Sequence, residues 1–192
     1  MINHKTNVAI FASGAGSNAA KLIAYFSNHP HIHIQLIVCN KPNAGVISIA
    51  SNNNIPHILI EKEQFFRGDA YTDILEEYQI HFIVLAGFLW KVPNLLIQHF
   101  PNKIINIHPS LLPKYGGKGM YGHFVHEAVL QHKETESGIT IHYVNEEFDK
   151  GATIFQAKCP VFETDTPETL ATRIHALEHL HFAPTIESVI CK

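Results

Sequence analysis

The chain has 192 residues, of which 46% are hydrophobic and 16% charged, and its formal net charge is −3. That composition excludes a disordered chain, and the acidic balance argues against a general nucleic-acid binder, which needs a basic surface. The three cysteines, Cys39, Cys159 and Cys191, are widely spaced with no CxxC pair, so they describe no disulfide framework and point to a reducing compartment. No apolar run approaches bilayer length and the N-terminus has no cleavable-leader pattern. The expectation is a soluble, cytoplasmic protein with neither a membrane nor a nucleic acid as partner.

In chain order, Val8–Ala12 is a short buried-type strand, and Ser13–Ser17 is a loop. Asn18–Phe26 has helical apolar spacing through Leu22, Ile23 and Phe26. Ile34–Cys39 is a second strand, Val46–Asn52 a helix, and Pro56–Ile60 a third strand. Asp69–Gln79 is predicted as one helix, Phe82–Ala86 as a fourth strand, a helix follows Pro93, and Lys103–Ile107 is a fifth strand. Strands that alternate with helices and are apolar throughout imply a parallel sheet covered on both faces. From His108 to Gly122 the chain has two prolines and four glycines; a loop this long inside a compact chain tends to be functional. A helix over His123–His132 follows, then antiparallel strands at Thr140–Val144 and Thr153–Ala157. Thr166-Pro167 reads as an N-cap with proline in the first turn of a last helix, interrupted near Pro184. The fold class expected is α/β: a Rossmann-like open, mostly parallel sheet with helices on both faces and an antiparallel C-terminal part. With no linker visible, 1–192 reads as one domain, with a phosphate- and nucleotide-binding half (1–105) and a catalytic half (106–192).

Fifteen histidines invite a metal reading at His29-Pro-His31-Ile-His33 and at Glu178-His179-Leu-His181. No HExxH and no zinc-finger spacing occurs, so the histidines of the first run are expected on the wet face of a strand entrance and no metal is expected.

Four segments carry chemistry. In Ser13-Gly-Ala-Gly-Ser-Asn18, between strand and helix, glycines allow close backbone approach and the free amides of the helix start attract an anion. The third glycine of a dinucleotide fingerprint is missing and no P-loop is present, which favours a single phosphate group over a dinucleotide or ATP; a plain tight turn is the alternative. In Asn106-Ile-His-Pro-Ser-Leu-Leu-Pro113, Asn106 and His108 share one face at the carboxyl end of a strand, where parallel sheets bind ligands. An amide beside an imidazole suits an oxyanion and proton transfer, although a strand-end histidine bonded to a carbonyl would look the same. Glu146-Glu-Phe-Asp149 offers carboxylates that would raise the pKa of a nearby imidazole, or is an acidic turn. Leu85-Ala-Gly-Phe-Leu-Trp90-Lys-Val92 suits a wall for a flat aromatic ligand, or is core.

Those segments, together with Val84-Leu-Ala-Gly-Phe88, Asp149-Lys-Gly151 and Glu178-His179, resemble the phosphoribosylglycinamide formyltransferases, folate-dependent enzymes of purine synthesis, along nearly the whole chain. The resemblance implies a formyltransferase fold and 10-formyltetrahydrofolate as co-substrate. It implies catalysis by Asn106, His108 and Asp149, and phosphoribosylglycinamide binding by Gly16, Ser17, Asn18, His175 and Glu178. Folate binding would fall to Leu89, Trp90, Lys91, Val92, Asn106 and the loop Asn145, Glu146, Glu147, Phe148, Asp149, with Arg67 displaced by about one place from the family's folate-contacting arginine. Trp90 stands where the family often has arginine, so its backbone role carries over. The implied mechanism is direct attack of the glycinamide amine on the formyl carbon. Asn106 and a His108 kept protonated by Asp149 would hold the oxyanion. A monomer or homodimer acting on small molecules is implied. Rival readings are methionyl-tRNA formyltransferase, which would need an RNA-binding domain, a formyltetrahydrofolate hydrolase, which carries a regulatory domain, and a non-enzymatic phosphate sensor using only the glycine loop.

Overall fold

The computed structural model describes residues 5–192, so the first four positions of the expected domain lie outside it. Thr6–Ala12 (β1), Ile32–Cys39 (β2), His57–Leu59 (β3), Phe82–Leu85 (β4) and Ile104–His108 (β5) pair in parallel. Glu136–Tyr143 (β6) and Thr153–Pro160 (β7) extend the sheet antiparallel. The order is β3-β2-β1-β4-β5-β6-β7. The helices are Ser17–Phe26 (α1), Gly45–Asn52 (α2), Lys62–Arg67 (α3), Thr72–Glu77 (α4), Asn94–His99 (α5), His123–Gln131 (α6) and Pro167–Ile190 (α7). Among the described residues no helix is long and apolar enough to cross a membrane.

Strand alternation divides the core into two layers. Val8, Ile10 and Ala12 of β1 face a layer with Leu22 of α1, Val46 of α2, Val125 of α6 and Ile174 of α7. Ala9 and Phe11 face the opposite layer, with Phe65 of α3, Leu75 of α4 and Leu96 of α5. Each fully buried Ile, Leu or Phe contributes roughly 1.5–3 kcal/mol. The sheet is thus open, mostly parallel and covered on both faces, as its apolar strands imply. The chain runs outward from β1 to β2 and β3, then returns to β4 on the other side, so the carboxyl ends of β1 and β4 form a switch point where a crevice opens.

The differences from the expected elements have local causes. The segment expected as one helix over Asp69–Gln79 is shorter, α4, and is preceded by the unpredicted α3. Gly68 separates them with φ 93°, its N–H closing onto the Phe65 carbonyl at 3.1 Å. Strand β6 starts at Glu136 rather than Thr140, because Gly138 lies so close to β7 that a Cβ there would collide with the Ala157 carbonyl oxygen. Helix α7 runs through Pro184 without interruption. The carbonyl that Pro184 leaves without a partner belongs to Leu180, a residue 63% exposed, where water can take the bond. In the first histidine run His33 is exposed, whereas His29 is a cap: its Nδ1 accepts from the Ile32 N–H at 3.0 Å and its Nε2 meets Glu187 at 3.1 Å.

Candidate active site

On the face that α3, α4 and α5 cover, the helices stop before β5 and β6. There Asn106 and His108 of β5 stand directly opposite His142 and Thr140 of β6. The loops 109–122 and 144–152 take the place of a helix above these four polar side chains. Asp149 descends from the second loop, its backbone in the left-handed region at φ 54°, which aspartate tolerates better than most residues.

The hydrogen bonds fix most orientations. His108 Nε2 donates to the Tyr115 carbonyl at 2.7 Å, leaving Nδ1 facing Asp149 Oδ2 at 3.6 Å. His142 Nδ1 donates to the Tyr143 carbonyl at 2.8 Å, so the Nε2 of the neutral ring accepts from the Asn106 amide at 3.1 Å. The same amide nitrogen lies 3.5 Å from Asp149 Oδ1, and the Gly117 N–H donates to Asp149 Oδ2 at 2.8 Å. Thr140 pins the loop below: its hydroxyl donates to the Ser110 carbonyl at 2.7 Å and accepts from the Leu112 N–H at 3.0 Å.

Burial lowers the His108 pKa from its ordinary value, and the Asp149 charge, which raises it, does not make up the difference. The ring is only 4% exposed, so desolvation of the cation opposes the protonation that Asp149 favours. Burial also pushes the Asp149 carboxyl up, but the facing His142 and His108 rings, in their protonated forms, and the Gly117 N–H hold it below the usual value. The resting pair is a carboxylate facing a ring that resists its second proton.

The Ser13–Asn18 loop makes the tight turn its glycines imply. Gly16 caps α1 at φ 83°, and a Cβ there would sit 2.9 Å from the Val46 backbone. Asn18, on the first turn of α1, donates to Glu178 Oε2 of α7 at 2.9 Å, and His175 Nδ1 meets the same oxygen at 2.8 Å. That bond raises the His175 pKa against the opposing effect of burial. Asn18, His175 and Glu178 thus form one cluster, although 160 positions separate Asn18 from Glu178. Asn18 Oδ1 is buried without a partner, an acceptor available to a ligand hydroxyl or amide. The Glu178 charge reaches His108, which ties this cluster electrostatically to the first.

Two cavities open onto the cluster of Asn106, His108 and Asp149, and a third adjoins them. A small slot of about 60 Å³ is lined by Leu85, Val92, Asn106, His142 and Phe148, with Trp90, Lys91, Asn145, Glu147 and Asp149 also on its wall. A cleft of about 360 Å³ runs past Leu89, Trp90, Asn106, His108 and the 117–121 loop. A trough of about 340 Å³ adjoins it at Phe66, Arg67 and Lys91. Arg67 lines only the trough, and Glu146 lines none of the three. Trp90 is among the residues lining the slot and the cleft, and its indole packs on Phe65 and Phe66 with ring centroids 5.8 and 5.7 Å away. Among the described residues no group of three or more His, Cys, Asp or Glu is arranged to hold a metal ion.

Sequence reasoning passed over His142 and Thr140 as site residues and gave Ser13, in the glycine loop, no role of its own. Ser13 is 2% exposed, and its hydroxyl oxygen accepts from the Leu89 N–H at 3.0 Å, joining the glycine loop to the cleft wall. The signal for His142 was its place two residues beyond Thr140 on an alternating strand; what was lacking was the β5–β6 pairing.

The formyl transferase family description matches residues 6–186. The chain is 36% identical over 187 residues to the phosphoribosylglycinamide formyltransferase of Bacillus subtilis, covering 95% of this chain and 93% of that protein. It is 39% identical over 191 residues to the chloroplastic phosphoribosylglycinamide formyltransferase of Arabidopsis thaliana, where 96% of this chain spans 65% of the relative's length; in the Vigna unguiculata counterpart the share is 61%. The crystal structure of phosphoribosylglycinamide formyltransferase from Bacillus halodurans superposes with a TM-score of 0.88 at 34% identity, covering 97% of this chain and 96% of that one. With sheet order, site geometry and these likenesses in agreement, the chain belongs to the formyl transferase family and, within it, to the phosphoribosylglycinamide formyltransferases.

Proposed function

We propose that the chain transfers the formyl group of 10-formyltetrahydrofolate to the amine of phosphoribosylglycinamide, a step of purine synthesis, in the cytoplasm. The observation that carries this reading is the convergence of Asn106, His108 and Asp149 at the mouth of one cleft, beside the Asn18–Glu178 cluster. We read residues 1–105 as the half that holds the phosphate and 106–192 as the catalytic half of one formyltransferase domain. The sugar phosphate sits on the amides of Gly16, Ser17 and Asn18, and Glu178 with His175 takes the ribose side. The pterin enters the slot lined by Leu85, Val92 and Phe148, where Asn145 and Glu147 supply polar groups.

The amine nitrogen attacks the formyl carbon, and the carbonyl oxygen becomes an oxyanion. The Asn106 amide hydrogen now directed along the long 3.5 Å contact to Asp149 turns to that oxygen, while the other hydrogen stays on His142. A negative oxygen beside His108 favours the charged ring, its proton drawn from solvent and returned when the oxyanion collapses, and offsets the burial that opposes it. Asp149, already a carboxylate, takes the proton leaving the attacking nitrogen through water. That proton reaches N10 of the folate as the carbon–N10 bond breaks, leaving tetrahydrofolate and the formylated glycinamide. Holding both substrates in one cleft removes much of the entropy barrier of a bimolecular reaction.

The test is absorbance-monitored deformylation of 10-formyltetrahydrofolate by purified protein, with and without phosphoribosylglycinamide. Deformylation that depends on the glycinamide, with formylated product by mass spectrometry, is expected. Glycinamide-independent release of formate would make the protein a hydrolase, and no reaction in either case would leave a phosphate-ligand sensor.

A further inference from the structure

The segment from Tyr115 to Gly117 touches two of the groups at the reaction centre. The Tyr115 carbonyl accepts from His108 Nε2 at 2.7 Å, and the Gly117 N–H donates to Asp149 Oδ2 at 2.8 Å. Between them Gly116 packs so closely that a Cβ there would come within 2.5 Å of the Leu112 side chain and 3.2 Å of the Asp149 Cβ. Three residues of backbone therefore set the orientation of the ring and the position of the carboxylate together. They belong to no helix or strand. The Tyr115 backbone lies in the left-handed region at φ 56°, which a bulky residue keeps only when its surroundings hold it there.

The hold comes from the turn between α6 and β6. The Tyr115 phenol donates to Glu134 Oε1 at 3.0 Å; its oxygen therefore accepts from His132 Nδ1 at 2.9 Å, the two ring centroids lying 5.6 Å apart. Lys114 bonds both oxygens of the same carboxylate, at 2.9 and 3.0 Å. Burial and the Glu134 bond push the phenol pKa up to about 12, so it is a protonated donor at neutral pH. The ring rests against the core but also borders a cavity of about 240 Å³, so packing alone leaves it room to shift. We propose that Tyr115 is a positioning residue for formyl transfer: its phenol, clamped by Glu134 and His132, fixes the backbone that orients His108 and Asp149. The inference rests on the functional reading above and goes beyond it, since Tyr115, His132 and Glu134 line neither slot, cleft nor trough. With Nε2 committed to the Tyr115 carbonyl, the His108 ring takes its second proton at Nδ1, the atom that faces Asp149 at 3.6 Å. Released from the clamp, the carbonyl drifts and the ring is free to change tautomer or tilt.

The test joins the transfer assay to nitrogen NMR of isotope-labelled histidine in mildly alkaline solution, with His108 assigned by the signals missing from His108→Asn. Tyr115→Phe removes only the hydroxyl. It should lower kcat about tenfold, the scale of a misplaced catalytic group, while both KM values and the urea midpoint stay close to those of the unmodified protein. The His108 ring should change from a single form protonated at Nε2 to a mixture of tautomers. Glu134→Gln still offers an oxygen to the phenol and should keep most of the rate. Glu134→Ala should fall between, because His132 can then accept the phenol proton. Adding Glu134→Ala to Tyr115→Phe should lower kcat no further, since both act through one bond. Tyr115→Phe with full kcat overturns the positioning role, and so does a lower kcat with the tautomer unchanged. Should Tyr115→Phe not fold, equal rates in Glu134→Gln and Glu134→Ala overturn it. Absence of formyl transfer by the unmodified protein overturns the functional reading instead; the ring in Tyr115→Phe then decides the clamp by itself, a mixture upholding it and a single Nε2–H form overturning it.

Discussion

The same face of one sheet is used in two ways. Over β2, β1 and β4 it presents Leu36, Val38, Ala9, Phe11, Ile83 and Leu85 to α3, α4 and α5, and is dry. Over β5 and β6 it presents Asn106, His108, Thr140 and His142 to two loops, and is polar though nearly as buried. A helix covers a strand with a fixed apolar stripe and satisfies its own backbone bonds; it leaves nothing for polar strand residues to bond with. The loops bring free carbonyls and amides, those of Ser110, Leu112, Tyr115 and Gly117, which satisfy Thr140, His108 and Asp149. The chemistry sits where helical cover ends because only there can buried polar groups be both partnered and reached by a ligand.

The two regions should therefore fail differently, and the largest effects separate them. Asn106→Ala and His108→Ala should each lower turnover on the order of 10²–10³-fold, as loss of an oxyanion donor does, while urea melts stay close to those of the unmodified protein. Phe11→Ala, in the dry region, should cost about 3–5 kcal/mol of stability, with turnover per folded molecule unchanged. Asn106→Ala with near-full turnover would break the mechanism; Phe11→Ala that loses activity but not stability would break the division between the regions.

Acid should strain the other side of the sheet. His126 of α6 is 2% exposed and its Nδ1 has no partner. Burial first, then repulsion from His175, bring its pKa from 6.5 down to about 4. Above pH 6.5 the ring is neutral in both folded and unfolded chains. As the pH falls below that value, the unfolded chain takes a proton that the folded one refuses, so stability drops until about pH 4. His108, also lowered, acts in the same direction. His175, which is raised, acts in the opposite one: its contribution is complete below pH 6.5 and is lost as the pH rises through its folded pKa. Between pH 7.5 and pH 5 His126 alone should cost about 2 kcal/mol. His126→Leu should flatten the pH dependence of urea unfolding by that amount; an unchanged slope would assign the acid sensitivity elsewhere.

What could be read from the sequence follows the same division. The elements set by local rules were legible: apolar runs in β1, β2 and β4, glycines at the α1 entrance, a Thr-Pro start for α7. Asn106 and His108 were legible from alternation at a strand end. The helix α3 was not, since only Phe65 in it is buried and no apolar spacing marks it. The Asn18–Glu178 bond and the pairing of His142 with Asn106 join residues far apart in the chain, and no local rule contains them. For His108 the sequence shows the charged neighbour but not the burial that opposes its effect.

His142 sharpens the comparison most finely, since it belongs to the polar region, lines the slot and also bonds Asn106. Its Nδ1 is committed to the Tyr143 carbonyl, so its Nε2 stays an acceptor and decides which way the Asn106 amide turns. Without that acceptor the amide is free to rotate and present its oxygen, which would repel an oxyanion. His142→Leu should therefore lower kcat by about tenfold, the scale expected when a donor is misplaced rather than removed, with little change in either KM. His142→Gln can still accept at that position and should recover part of the loss. If His142→Leu instead raised KM for the folate and left kcat alone, the side chain would act only as a wall of the slot. If leucine and glutamine failed alike, the hydrogen bond would not be what positions Asn106.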